Sequence, residues 1–330
     1  MSTTLSPRAD APLDPAPAKP RRLRGLAWLM VRQHRAAVLA CAAATVGGAL
    51  WIISKRASTL SSLHAAGWPA KPLGSLDADV INRASQNITD VGGYLFFLPL
   101  LLGVFFGAPL IASDQEHGTA QLVTTQSVSK RRWLLWKLGF ALALVTVTTA
   151  VLSALFTWWW RSAAPLATYS WLDDATFSTT GPVLVAAALF TTSLGILIGT
   201  LVRRAVPAMA VTLGVTAVTR LVVEHFRPDF ATPHRAAFPL DTDPPAWLAD
   251  VTQVDQWIGT ASGKVYGYGT CTTAKSPEAC RDRLGIVNSV WDYFTYGQLG
   301  GMQWVEAGIY LALTAVLITL FLWRTRRHAL

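Results

Sequence analysis

Few of the residues able to do chemistry in this 330-residue chain stand at spacings that chemistry would use. Asp173-Asp174 lacks the spaced third carboxylate that a magnesium-dependent prenyl transfer site would need, and the pairs Asp77/Asp79 and Asp241/Asp243 read as solvated loop carboxylates. Glu224, His225 and His234 carry metal-ligand chemistry, but the histidines stand nine positions apart in a Pro-rich loop without helical spacing. Gly263-Lys264 is the single Gly-Lys pair. Its nearest upstream glycine, Gly259, stands too close for a phosphate-cradling loop, and Val265 replaces the Ser or Thr that would meet magnesium. The chain is therefore expected to bind no nucleotide, metal or other cofactor by itself, and to be no enzyme.

The elements that must position these residues are membrane spans. Hydrophobic residues make up 52% of the chain and charged ones 14%, against about a quarter charged in soluble domains. Six charge-poor apolar runs approach or reach the roughly 20 residues that cross a bilayer: 36–53, 94–112, 138–160, 182–202, 205–223 and 303–323. Runs of this length exclude a membrane β-barrel. The expected fold is all-α, a polytopic membrane protein of six transmembrane helices. Arg21-Arg22 before the first run resembles a twin-arginine export signal, yet no small-residue cleavage site follows Ile53 and five more runs do, so the first is read as a retained span.

Basic residues give the orientation. With the N-terminus inside, the internal pieces hold 16 of the 28 Lys and Arg against four acidic residues, as the positive-inside rule requires. Both termini are then cytoplasmic, and topology accounts for the net charge of +9 without nucleic acid as a partner. Residues 1–20 read as a disordered cytoplasmic tail, 21–35 as an amphipathic helix at the membrane interface or a plain positive flank, and 324–330 as a short cytoplasmic tail. The largest exposed piece is the outer loop 224–302, before the last helix. It holds Cys271 and Cys280, whose spacing on an oxidising exterior reads as a disulfide, whereas Cys41 reads as a small buried hydrophobe.

Inside the spans, Gly103 with Gly107 and Gly195 with Gly199 place small residues one turn apart, letting another helix approach closely. Arg220 and Glu306 are expected at one depth near the outer ends of the fifth and sixth spans, a candidate interspan ion pair for which Glu224, one turn after Arg220, competes. Between the second and third spans, 113–137 is longer than a reversal needs. Asp114, Glu116 and His117 open it, Gly118 and Thr119 can start a helix, and Ser127 precedes Lys130, Arg131, Arg132 and Lys137.

This segment, with Gly107 to Ala112 before it, resembles the membrane subunits (permeases) of type-2 ATP-binding-cassette (ABC) exporters over about 45 residues, 93–137. There, a Glu, a Gly-Thr pair, a few apolar residues and a Ser-x-x-Arg/Lys run lead to a Lys at the head of the next span, places filled here by Glu116, Gly118-Thr119, Ser127, Lys130-Arg131 and Lys137. The resemblance implies a coupling helix within 114–132 that docks on a separate cytoplasmic ABC ATPase subunit, which binds the ATP. It also implies a second copy of the chain, residence in the lipid of a bacterial plasma membrane, and export of a hydrophobic or amphipathic substrate such as a drug, antibiotic, lipid or peptide. The alternative is a membrane-embedded enzyme or sensor that uses its outer loop.

Overall fold

The computed structural model describes residues 26–71, 75–117, 130–163 and 171–327. Each of the six apolar runs lies in a helix, or a nearly continuous helical run, long and apolar enough to cross a membrane. A short helix α1 (Leu26–Gln33) breaks at His34 before α2 (Arg35–Ala65). Helix α3 (Ala78–Leu101) passes through a π-helical turn (Leu102–Gly107) into α4 (Pro109–Glu116). Helix α5 (Lys130–Ala163) returns, and a short α6 (Asp174–Thr179) leads into α7 (Val183–Val202). Helix α8 (Ala205–His225) and the last helix α10 (Leu299–Arg327) complete the bundle, with a short α9 (Pro277–Leu284) in the region between them.

Helix α7 is the axis of the bundle. Its most apolar window is 89% buried, against 56% or less for every other span, and it packs on α3, α4, α5, α8 and α10. What lets the other backbones come so near is glycine. A Cβ at Gly195 would stand 2.4 Å from the carbonyl oxygen of Gly103, and one at Gly199 would stand 2.4 Å from that of Ala108. The approach is mutual, since Cβ atoms at Gly103 and Gly107 would meet the carbonyls of Thr191 and Thr192 at 2.7 and 2.8 Å. The two small-residue pairs thus pack against each other within one chain. The π-helical turn follows Pro99, and the Thr191 hydroxyl donates to the Pro99 carbonyl at 2.6 Å. Gly195→Ala is expected to cost about 1 to 3 kcal/mol, because backbone rather than a flexible side chain must yield. Melting in detergent measures it, and an unchanged midpoint would refute the close packing.

Several helices outrun the apolar runs that mark them. The run Ala78–Glu116 has 39 residues, about 58 Å at 1.5 Å per residue, well over a hydrocarbon core of about 30 Å. The stretch between the first two apolar runs is accordingly helical through most of its described length. Lys55 Nζ donates to Asn87 Oδ1 at 2.8 Å and Asn87 Nδ2 to Thr59 Oγ1 at 3.3 Å, so polar side chains join α2 and α3 beyond the apolar stretch.

The region between α8 and α10 adds a four-stranded antiparallel sheet, on which the apolar runs are silent. Its strands β1 (His234–Pro239), β2 (Thr252–Thr260), β3 (Val265–Gly267) and β4 (Ile286–Phe294) lie in the order β1-β4-β2-β3. Across it, Arg235 Nε and Nη2 grip the Asp292 carboxylate, both at 2.7 Å, and Trp257 Nε1 donates to the same group at 3.0 Å. Those hydrogen bonds, that of Arg235 first, hold the Asp292 carboxyl below the usual range despite its burial.

Helix α9 (Pro277–Leu284) packs beside β4, and a disulfide joins Cys271 to Cys280 with Cα atoms 5.8 Å apart. Cys271 packs with Ile258 and Ile286 in the small core between sheet and helix. Closing so short a loop contributes about 2 to 3 kcal/mol by chain entropy. Peptide mapping should find both thiols protected from alkylation until a reductant is added, whereas free thiols in the untreated protein would contradict the bond. Cys41 is buried in α2 and takes part in no disulfide.

Candidate functional site

At the end of the bundle where α4 stops, α5 starts and α7 turns into α8, polar side chains replace apolar packing. Lys137, one turn below Trp133 on α5, has no exposed surface. Its ammonium donates to the Asp114 carboxylate and, at 3.1 Å, to the Leu110 carbonyl, and lies 4.5 Å from the centre of the Trp133 ring. One cation thereby ties the end of α4 to the head of α5, the two stems of the segment 113–137. Around it Leu110, Ile111, Leu134, Ile196 and Phe321 form a separate apolar cluster in contact with α7 and α10.

Glu116 reaches a third element. Its Oε2 accepts from the backbone nitrogen of Ala205 at 2.9 Å, which satisfies an otherwise free amide at the start of α8 and sets an anion at a helix N-terminus. The preceding turn needs only two residues because Arg203 adopts a left-handed conformation, φ 60°, that closes α7 abruptly. His117 bonds the Ser113 carbonyl through its ring nitrogen at 2.8 Å. Glu116, His117, Arg131, Arg132, Arg203 and Arg204 are exposed, so this end presents charge of both signs on a buried clamp. Of the residues read from the sequence, Gly118, Thr119 and Ser127 lie outside the described residues, and Lys130 opens α5. The spacing of Asp114 and Lys137 signals two stems. That they pair depends on the antiparallel register of α4 and α5, which a sequence does not state.

A second charged cluster lies at the opposite end, beneath the sheet, and corrects one expectation. Glu306 pairs with Arg227, not with Arg220. Arg227 Nε donates to Glu306 Oε2 at 3.0 Å, Nη1 to Asp174 at 2.5 Å and Nη2 to Ser178 at 3.1 Å. Arg220 instead gives Nη1 to the Phe96 carbonyl at 2.6 Å and Nη2 to Glu224 at 3.3 Å. The reason is the 3₁₀ turn Arg227–Phe230, which bends the chain back over the bundle after α8 and brings a cation from outside the apolar run onto α10. Burial works against the charge of Arg227, but Glu306 and Asp174 outweigh it and hold the guanidinium above its usual range. Among the described residues no group of three or more His, Cys, Asp or Glu could hold a metal ion.

A family model described as "ABC-2 membrane transporter related" matches residues 36–227, more than half of the chain. The chain belongs to the ABC-2 membrane transporter related family. It is a multi-pass transmembrane transporter protein consistent with an ABC-2 type permease. The ABC-2 match runs from the second residue of α2 to Arg227, and so takes in five of the six spans and both charged clusters' α3 to α8 components, while the sheet and α10 lie beyond it. No curated protein and no solved structure matches the chain.

Proposed function

We propose that the chain is the membrane-spanning permease of an ABC exporter in a bacterial plasma membrane, and that the end carrying the Lys137 clamp faces the cytoplasm and docks a separate ATPase. Two copies with two ATPase subunits would form the working unit, consistent with the general preference for two-fold closure. ABC-2 membership supports the transporter class and implies an ATPase partner. The observation that carries the docking reading is the junction itself: Lys137 and Glu116 tie α4, α5 and the α7–α8 turn together directly beneath exposed charges. A push on that face reaches α7, which packs on most of the bundle. In the sequence, the pieces assigned to this side hold 16 of the 28 Lys and Arg, as the positive-inside rule favours for a cytoplasmic face. Hydrophobic or amphipathic substrates and the export direction are what the sequence resemblance implies.

Charge at Glu116 tests the reading. Glu116→Gln keeps an acceptor for the Ala205 amide and should insert and melt like the parent, while Glu116→Arg loses about 1 kcal/mol of cap stabilisation. Both are expected to weaken recovery of the ATPase in pull-downs and to lower uptake into inverted vesicles, the arginine variant by tenfold or more, which corresponds to about 1.4 kcal/mol. Normal transport by both variants would remove Glu116 from the docking face.

A further inference from the structure

One hollow in the molecule belongs to neither charged cluster. Helices α1 and α5 diverge around a partly open cavity of about 490 Å³, within the roughly 300 to 1,000 Å³ range of small-ligand sites. Its lining includes Met30 from α1 and Leu135, Trp136, Gly139, Phe140 and Ala143 from α5, and its surface is almost wholly apolar. A Cβ built on Gly139 meets nothing within 4 Å, so the floor of the groove is open. His34, at the break between α1 and α2, stacks on the lining residue Phe140 with ring centres 6.0 Å apart.

The surroundings are cationic. Arg131 and Arg132 are exposed and stand four residues before Leu135 and Trp136, on the same stripe of α5 and one turn nearer the helix end. Arg32 and Arg35 are exposed beside Val31 and His34, and the Arg32 guanidinium lies 5.0 Å from the centre of the Trp28 ring. An apolar slot on a membrane-spanning helix, with exposed Arg131 and Arg132 one turn away on the same stripe, matches a molecule with a tail and an anionic head.

We propose that the groove between α1 and α5 binds one anionic phospholipid, its acyl chain over Gly139 and Ala143 and its phosphate at Arg131 and Arg132. Charge complementarity selects the anionic lipid, and the slot distinguishes one held molecule from the mobile lipid that surrounds any span. The lipid would wedge α1 against α5 beside the Lys137 clamp. The site does not depend on the transport reading.

Native mass spectrometry of the full chain in detergent, titrated with dioleoyl phosphatidylglycerol or dioleoyl phosphatidylcholine, tests it. One phosphatidylglycerol should be retained per chain at about a tenfold lower concentration than phosphatidylcholine. Gly139→Leu, or Ala143→Leu should the first variant fail to fold, fills the slot and should weaken retention of both lipids, with the melting point without lipid reported as the control. Arg131→Ala with Arg132→Ala should bring the two lipids closer together while some binding remains. Equal retention of both lipids by the parent, or retention unchanged in a folded slot-filling variant, would overturn the proposal. So would a disulfide between two copies of an Ala143→Cys variant that excludes added lipid, which would assign the groove to a second copy of the chain.

Discussion

Arg227→Ala is expected to destabilise the protein by about 3 to 5 kcal/mol, the usual consequence of stripping the partner from a buried charge. Glu306 is 1% exposed and Arg227 3% exposed, so neither can turn to water when the other is removed. Asp174 is different, because its side chain is 58% exposed and solvent takes over when the guanidinium goes. The loss therefore falls mainly on Glu306, and adding Glu306→Ala should restore part of what Arg227→Ala removes. A double-mutant cycle on thermal unfolding in detergent measures that recovery, with coupling well above the roughly 0.5 kcal/mol that independent sites show. The same cycle on Arg220 and Glu306 should give a smaller value, since Arg220 is held by the Phe96 carbonyl and Glu224. An Arg227→Ala protein that melts within a degree or two of the parent would sink the argument.

That pairing also shows where sequence alone stops. Apolar runs mark spans because the bilayer tolerates little else, and Gly103, Gly107, Gly195 and Gly199 announce a close approach because only a missing Cβ permits it. Both signals are local. The partner of Glu306 is 79 residues away and outside any apolar run, so depth matching of charges within runs misses it. A sheet between α8 and α10 leaves little trace in a hydropathy scan, since its strands, of nine residues or fewer, are much shorter than a span and mix polar with apolar residues. The ends of α2 and α3 escape for another reason: Ser, Asn, Lys and Arg at a water-facing helix end are compatible with helix, so loss of hydropathy marks the end of lipid, not the end of the helix. In the candidate docking face, residue types were legible and their contacts were not. Glu116 reads as a surface carboxylate, yet it also satisfies the first amide of α8.

Lys137→Met is expected to leave a chain that inserts, and that still recovers its ATPase, but transports at least about tenfold more slowly. Methionine keeps much of the length and packing of the lysine stem while removing the cation. What is lost is the bond to Asp114 and to the Leu110 carbonyl, the tie between the two stems of segment 113–137. Asp114 keeps 13% of its side-chain surface exposed, so water reaches its carboxylate and the folding cost should stay near 1 to 3 kcal/mol. The exposed charges of Glu116, His117, Arg131 and Arg132 remain, which is why docking should survive. A purely structural role for Lys137 would lower insertion, ATPase recovery and transport together, whereas a transmitting role lowers transport alone and leaves ATP hydrolysis by the assembled complex running without matching efflux. Asp114→Asn should act in the same direction and more weakly, because the amide oxygen still accepts from the ammonium. The two substitutions combined should cost little more transport than Lys137→Met alone, since both cut the same tie. Transport by Lys137→Met at the parent rate, in vesicles with equal amounts of both subunits, would show that α4 and α5 carry the ATPase stroke without this clamp.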